Sequence, residues 1–178
     1  MKLYVIRHGQ TATNAAKGMV GRTQIYALTP QGEEQARQAS RETAQLDYDL
    51  VISSPLLRAK VTCGIVNVKE KPVLEDPRIM ERDCGEMEGK PKESFDYPHY
   101  WNAHYDFDFK GMTPIGEFLN TVWAFLDDIK ATYPDKNILV VTHNGVCRAI
   151  GAYFNGIPED GNLTVYAHEN CEIKAYDL

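Results

Sequence analysis

Long apolar runs are missing from this sequence, and no stretch approaches the ~18 residues of a membrane-spanning helix. The apolar run that follows Met1 is too short for a signal peptide. The sequence also has no C-x-x-C pair and no short Cys–His spacing, which argues against a zinc site. We therefore expect a cytoplasmic protein with reduced thiols at Cys63, Cys84, Cys147 and Cys171.

Positive charge is scarce as well, since 19 Lys and Arg against 25 Asp and Glu give a formal net charge of −6. A surface of that sign repels nucleic acid and anionic membranes, so we expect neither as a partner, and any anion site must be local. Linkers, long repeats and low-complexity segments are absent too. With 178 residues, 43% of them hydrophobic, the sequence predicts one globular domain over residues 1–178 with a single core.

Short apolar runs alternate with helical stretches along the chain. Strands are predicted at 3–6, 50–52, 73–74 and 138–141, with a last pair at 164–168 and 172–176. Helices are predicted at 30–46, from 53–55 to about 66, at 115–131 and at 146–154, the first capped by Thr29. This alternation predicts an α/β fold, a single three-layer domain with a mostly parallel sheet and helices on both faces.

Residues 95–109 are rich in aromatic side chains, among them Tyr97, Trp101, Phe107 and Phe109, and follow no period of 2 or 3.6. This composition suits a covering loop or short helices. A lid over the substrate and plain core packing explain the aromatic residues about equally well. Their role therefore stays open.

Two histidines, His8 and His143, end strongly apolar strands. Ligands of open α/β sheets bind at the carboxyl ends of strands, so both histidines are expected to face one crevice. Either alone is more often structural, but Arg7 beside His8 and Arg58 in the first turn of the second helix favour a site. Arg58 alone would suit a surface salt bridge. Because guanidinium forks match phosphate oxygens, the four residues together imply an anionic substrate.

These residues belong to motifs that resemble the signature of the histidine phosphatase superfamily, the phosphoglycerate-mutase-like proteins. The resemblance covers nearly the whole chain. It is carried by R-H-G-Q-T-A-T-N at 7–14, G-R at 21–22, L-T-P-Q-G at 28–32, S-S-P-L-L-R-A at 53–59, E-R-D-C-G-E-M-E-G at 81–89, G-E at 116–117 and V-T-H-N-G at 141–145.

Three positions depart from the family pattern. Phe118 replaces the serine of a G-E-S motif, Asn144 stands where many members have glycine, and Met87 replaces a frequent tryptophan. The departures leave the expected catalytic set intact but weaken any inference about the substrate.

The resemblance implies a phosphatase that hydrolyses a small phosphate monoester in two steps. His8 would take the phosphoryl group, and water would then hydrolyse the phosphohistidine. Arg7, Arg58 and His143 would stabilise the transferring group. The resemblance implies no metal and no other cofactor, names a small phosphorylated metabolite as partner, and leaves a homodimer open.

A proton must also reach the leaving oxygen, because an alkoxide is a poor leaving group. The resemblance assigns this proton to Glu81, whereas composition alone leaves Glu86 and Glu88 open. Softer candidates for substrate binding lie near the strand ends, although Thr13 or Asn14 would equally suit the N-cap of a short helix. These softer candidates are Gln10, Thr11, Asn14, Gly21 and Asn144.

Two other functions compete with hydrolysis. A phosphoglycerate mutase uses the same phosphohistidine but returns the group to a bound monophosphate; such mutases are usually longer, so 178 residues favour hydrolysis. A non-catalytic binding module on the same fold is the second alternative. All five expected catalytic positions are filled here, which argues against it.

Overall fold

The structure, a computed structural model, describes residues 1–105 and 110–178. Its sheet has the order β3–β2–β4–β1–β5, in which the β1–β5 pair is antiparallel and every other pair is parallel. The expected mostly parallel sheet is thereby confirmed. The strands are β1 (Lys2–Arg7), β2 (Leu50–Ser53), β3 (Val73–Glu75), β4 (Ile138–Thr142) and β5 (Ile173–Asp177).

Helices connect the strands. The second begins as its sequence predicts, because the Thr29 side chain accepts a hydrogen bond from the Gly32 N–H and Pro30 takes the first helical position. The helices are α1 (Ala12–Ala15), α2 (Pro30–Thr43), α3 (Leu57–Val66), α4 (Tyr97–Tyr100), α5 (Ile115–Thr132) and α6 (Asn144–Asn155). Short 3₁₀ turns lie at Pro77–Ile79, Gly85–Met87, Lys92–Ser94 and Leu163–Tyr166.

Strands β1, β2 and β4 each contribute to two hydrophobic clusters, one on each face of the sheet. On β1, Leu3 and Val5 pack with residues of α5 and α6, whereas Ile6 packs with residues of α2 and α3. This division follows from the twofold alternation of side chains along a strand. The expected arrangement of helices on both faces of the sheet is confirmed.

The strand predicted at 164–168 is wrong. Leu163–Tyr166 is a 3₁₀ turn, and Asn162 starts it by accepting hydrogen bonds from both the backbone N–H and the hydroxyl of Thr164. Such side-chain bonds to the local backbone compete with strand pairing. The other member of the predicted pair is correct, because β5 forms and joins the sheet beside β1.

Four observations bear on the remaining expectations. Of the helices in the described ranges, none is both long and apolar enough to cross a membrane. Within those same ranges, no group of three or more His, Cys, Asp or Glu side chains is arranged to hold a metal ion. Phe107 and Phe109 lie outside the described residues. The four cysteines, Cys63, Cys84, Cys147 and Cys171, are free and buried.

Candidate active site

The pairing of β1 with β4 places the two histidines side by side. Arg7 is in register with Thr142, so the residue that follows each strand comes to the same edge of the sheet. The His8 N–H donates to the Thr142 carbonyl at 2.8 Å, and the ring centroids of His8 and His143 lie 5.1 Å apart. The structure therefore brings together two histidines that are far apart in the sequence.

The ring of His8 is oriented by its own loop. Its Nδ1 lies 2.7 Å from the Gly9 carbonyl, which only accepts, so Nδ1 carries the proton and Nε2 presents a lone pair. The Arg58 Nε–H donates to that Nε2 at 3.3 Å. Burial, then the positive charges of Arg58 and Arg7, hold the pKa of His8 well below its usual 6.5. His8 is therefore neutral at neutral pH.

Backbone carbonyls anchor both site arginines. Arg58, from the first turn of α3, donates from Nη2 to the Gly21 carbonyl at 2.7 Å and from Nη1 to the Thr23 carbonyl at 3.2 Å. Arg7 donates from Nη1 to the His168 carbonyl at 2.7 Å. Burial lowers the pKa of Arg58 to about 10, which leaves its guanidinium charged at neutral pH. Because carbonyl groups carry no net charge, they do not neutralise Arg7 and Arg58, and both positive charges remain available to attract an anion.

His143 is fully buried and is held by Ser54. The Ser54 Oγ lies 2.7 Å from His143 Nε2 and also accepts a hydrogen bond from the Leu56 N–H. In the described part of the chain, His143 Nε2 is the acceptor within reach of the Ser54 hydroxyl proton. Because Nε2 accepts, the neutral His143 ring carries its own proton on Nδ1. That Nδ1 is buried and has no partner in the described part of the chain. Burial, followed by Arg58, lowers the pKa of His143 well below 6.5.

The carboxyl group of Glu81 is fixed by two backbone N–H groups. The Arg82 N–H donates to Oε1 at 2.9 Å, and the Gly145 N–H donates to Oε2 at 3.1 Å. The second bond requires glycine at 145, because a Cβ there would overlap Glu81 Oε1 and come within 2.5 Å of the Trp101 ring. Glu81 is thereby tied to the start of α6, directly after His143.

A narrow crevice lies beside these groups. Arg7, His8 and Glu81 line it, with Arg58 and His143 packed against His8. Three described aromatic residues of the 95–109 segment also form its wall. The remaining lining residues are Asn14, Gly18, Met19, Val20, Arg82, Lys92, Tyr97, Tyr100, Trp101, Asn144 and Arg148.

Asn14 and Asn144 are the softer candidates that the structure places in the crevice wall. Gln10 instead turns its Oε1 to the Thr29 hydroxyl at 3.0 Å. Thr11, rather than Thr13 or Asn14, is the N-cap of α1, and the Asn14 side chain completes the capping box by accepting from the Thr11 N–H. Gly21 offers its carbonyl to Arg58. Gln10, Thr11 and Gly21 thus contact residues that position the site.

The model of the histidine phosphatase superfamily, branch 1, matches residues 3–178. The chain belongs to this superfamily. The resemblance inferred from its motifs is confirmed. Asn144, Phe118 and Met87 are consequently departures within a true member.

Individual members of the superfamily carry different names. The chain is 31% identical to an uncharacterized phosphatase, PhoE, of Bacillus subtilis (strain 168), over 98% of this chain and 93% of the relative. It is similar to the alpha-ribazole phosphatase from Shigella flexneri, with a TM-score of 0.83, 26% identity and coverage of 100% and 91%. A phosphoglycerate mutase from Thermus thermophilus matches with a TM-score of 0.78, 29% identity and coverage of 99% and 93%.

Sequence reasoning overlooked two residues at this superfamily site. Ser54 belongs to the motif at 53–59, but nothing in that motif indicates that its hydroxyl orients His143. Arg148 lies four residues after Asn144 on α6, and both line the crevice. That i,i+4 spacing was the available signal, because such residues share a helix face. The departure at Phe118 puts an aromatic ring behind the crevice wall, with its centroid 6.2 Å from that of Trp101.

Proposed function

We propose that this superfamily member is a phosphatase that hydrolyses a small phosphate monoester through a phosphohistidine formed on His8. The observation that supports it most directly is the state of the His8 ring. Its proton is held on Nδ1 by the Gly9 carbonyl, its Nε2 lone pair accepts from the Arg58 Nε–H, and the ring lines the crevice together with Arg7. A neutral imidazole beside two guanidinium groups is a nucleophile next to an anion site.

In the first step the Arg58 Nε–H turns from His8 Nε2 to an oxygen of the bound phosphoryl group. The freed Nε2 lone pair attacks phosphorus, and the bond from phosphorus to the leaving oxygen breaks. Arg7 and Arg58 neutralise charge on the phosphoryl oxygens, and the Nδ1–H of His143 donates to one of them. Glu81 gives its proton to the leaving oxygen, so an alcohol departs. The Nδ1–H of His8 continues to donate to the Gly9 carbonyl while the ring becomes cationic.

The second step regenerates His8. Glu81, now a carboxylate, takes a proton from water while the water oxygen attacks phosphorus. The bond between phosphorus and Nε2 breaks, its electron pair returns to Nε2, and inorganic phosphate leaves. Glu81 is then protonated again, and no group from outside the chain is consumed apart from water.

Asn14 and Asn144 supply polar groups to the wall of the crevice, and we assign them to substrate binding. Gln10, Thr11 and Gly21 act in this scheme by holding the surrounding loops. The substrate is a small phosphorylated metabolite, and the enzyme acts in the cytoplasm without nucleic acid, alone or as a homodimer.

Trapping the intermediate tests the proposal. The enzyme is mixed with p-nitrophenyl phosphate, quenched in alkali, digested and analysed by mass spectrometry. One phosphoryl group is expected on the peptide that contains His8. His8→Asn is expected to lower kcat/KM by at least about 10³-fold. The control is His104→Asn at an exposed histidine, which should leave the rate unchanged. An unlabelled His8 together with an unaffected His8→Asn rate would overturn the mechanism.

Phosphoryl transfer back to a monophosphate is the second candidate, favoured by the similarity to the Thermus thermophilus mutase. That structure is covered to 93% by this chain, so chain length does not separate the two functions. The assay that does so follows 3-phosphoglycerate with and without catalytic 2,3-bisphosphoglycerate. Release of inorganic phosphate is expected. Isomerisation without phosphate release would contradict hydrolysis as the main reaction.

A further inference from the structure

The Gly9 carbonyl orients the ring of His8, and its direction depends on the backbone conformation of residue 9. Glycine is required at this position, because a Cβ would lie 2.4 Å from the Gly32 carbonyl oxygen of α2. Glycine also has the widest range of backbone conformations, so it does not by itself fix where its carbonyl points. The two peptide units on either side of residue 9 must therefore be held by other groups.

A threonine of α3 holds the peptide unit in front of Gly9. The Thr62 hydroxyl accepts from the Gly9 N–H at 3.0 Å and donates to the Arg58 carbonyl at 2.8 Å. Thr62 is fully buried, so solvent water cannot take over either bond. The carbonyl of the same peptide unit, that of His8, accepts from the Asn170 side chain at 2.9 Å. This unit is thus held from both sides.

A glutamine of α2 holds the peptide unit behind Gly9. The Gln35 Oε1 accepts from the Gln10 N–H at 2.9 Å. The carbonyl of that unit belongs to Gly9 and accepts from His8 Nδ1 at 2.7 Å. Because the N–H and the carbonyl of a trans peptide point in opposite directions, the three groups form one chain of hydrogen bonds. Each bond in such a chain polarises the next, which makes the Gly9 carbonyl a stronger acceptor.

We propose that Thr62 and Gln35 are positioning residues of the nucleophile, because they fix the conformation of residue 9 and with it the acceptor of the His8 Nδ1 proton. This inference rests on the proposed phosphatase function and adds two residues, neither of which lines the crevice. Their effect falls on the first step, in which the His8 ring must point Nε2 at phosphorus and gains positive charge. A fixed carbonyl dipole next to Nδ1 meets both needs.

Paired substitutions separate the hydroxyl of Thr62 from its bulk. Thr62→Val keeps the shape and loses both hydrogen bonds, whereas Thr62→Ser keeps the bonds and loses a methyl group. With p-nitrophenyl phosphate, kcat/KM is expected to fall by about 10- to 100-fold in Thr62→Val and by less than about threefold in Thr62→Ser. The matched control is Thr43→Val, since Thr43 is a buried threonine whose hydroxyl donates to the Val66 carbonyl. Its rate should equal that of the wild type.

Gln35 is tested in the same way. Gln35→Met has nearly the same length but no acceptor, and kcat/KM should fall by about three- to tenfold. This loss is smaller than in Thr62→Val because Gln35 is partly exposed, so water can bind the Gln10 N–H. Gln35→Glu keeps the acceptor and should retain the wild-type rate. The control is Gln38→Met at an exposed glutamine of the same helix, which should leave the rate unchanged.

Two further measurements separate positioning from a general loss of structure. The inhibition constant of inorganic phosphate should stay within about threefold of the wild-type value in every variant, because Arg7 and Arg58 keep their own anchors. In enzyme labelled with ¹⁵N-histidine, His8 should give one signal of a protonated and one of an unprotonated ring nitrogen. In Thr62→Val and Gln35→Met these two signals should approach each other, because the second tautomer of the ring is then populated.

A wild-type kcat/KM in both Thr62→Val and Gln35→Met overturns the inference, as does a rate of Thr62→Ser as low as that of Thr62→Val. Nitrogen signals of His8 that stay unchanged in both variants overturn it too. If Thr62→Val does not fold, Gln35→Met decides by the same criteria, since its side chain is partly exposed.

Failure of this inference differs from failure of the proposed function. The nitrogen signals of His8 report on the ring without turnover, so they test its positioning even in an enzyme that hydrolyses no ester. If p-nitrophenyl phosphate is inert or His8 is never phosphorylated, the phosphatase proposal itself is wrong. If the wild type is active and the variants match it, His8 is the nucleophile but other contacts hold it.

Discussion

Glu81 is one of three glutamates in a short stretch, and its contacts distinguish it from the others. Its side chain is buried in the crevice wall, whereas that of Glu86 is exposed. Glu88 accepts hydrogen bonds from the Gly21 N–H through both carboxylate oxygens. The general acid proposed from the family motif is thus the one glutamate of the three that lines the described crevice together with His8.

Replacing Glu81 by glutamine should slow the enzyme in a way that depends on the leaving group. Glycerol 3-phosphate releases an alkoxide that needs a proton, so kcat/KM should fall by about 10²- to 10⁴-fold. Nitrophenolate leaves as a stable anion, so kcat/KM for p-nitrophenyl phosphate should fall by less than about 10-fold. Steady-state assays of both substrates provide the comparison, with Glu86→Gln as the control. Equal losses on the two substrates would remove Glu81 from this role.

At the residue scale, the sequence located the groups that belong to continuous motifs. It could not locate Ser54, because that role depends on β2 lying beside β4: the Ser54 N–H donates to the Val141 carbonyl, two residues before His143. The sequence could not single out Arg148 for a similar reason. Its buried Nε and Nη1 have no acceptor among residues 1–105 and 110–178, which only the packed structure reveals.

Helix α6 is the element on which the site depends most. His143 is its N-cap, Gly145 binds Glu81, and Asn144 and Arg148 line the crevice. One helix therefore sets the relative positions of several groups around the proposed phosphoryl site.

Gly145→Ala tests this coupling at the level of the helix. The added methyl group must displace Glu81 or Trp101, so we expect a loss of about 1–3 kcal/mol in the free energy of unfolding. The kcat/KM for glycerol 3-phosphate should fall by about tenfold or more, because Glu81 is moved. Urea denaturation and steady-state kinetics measure the two effects.

The matched control is Gly64→Ala in the interior of α3, where a Cβ meets nothing within 4 Å. Alanine is the better helix former by about 1 kcal/mol, so this variant should be more stable at unchanged activity. If Gly145→Ala behaves like Gly64→Ala, the close packing of α6 against Glu81 is not required for function.

Element boundaries were predictable where local signals agree. Thr29 and Pro30 determine where α2 begins, and buried apolar runs give β1 and β4. The prediction at 164–168 failed because its apolar residues suggested a strand, while Asn162 satisfies the backbone locally and Val165 is left 60% exposed. A strand also needs a neighbour in the sheet, and sequence periodicity carries no information about that neighbour.

For the molecule as a whole, three buried histidines make stability depend on pH. The pKa of His8 and of His143 lies well below 6.5, and burial lowers that of His168 to about 4. In the unfolded chain all three titrate near 6.5, so below that pH the unfolded state binds more protons than the folded state. Stability is therefore fully present above pH ~6.5 and is lost as the pH falls toward 4.

Urea denaturation between pH 7 and 4.5 should show this loss, with up to about 1.4 kcal/mol per pH unit from each histidine. His168→Gln removes one of the three groups and should reduce the slope by about a third, whereas His104→Gln, at an exposed site, should not change it. An identical slope for His168→Gln and the wild type would contradict the assignment of His168 as a buried neutral ring.

The carbonyl groups that anchor Arg7 and Arg58 affect the stability of the fold. The positive charges of buried Arg58 and half-buried Arg7 are held in place by neutral carbonyl groups, so the fold carries a repulsion that an anion relieves. Inorganic phosphate, the proposed product, is such an anion. Because phosphate and substrate would bind the same two arginines, we expect added phosphate both to raise the free energy of unfolding and to slow turnover.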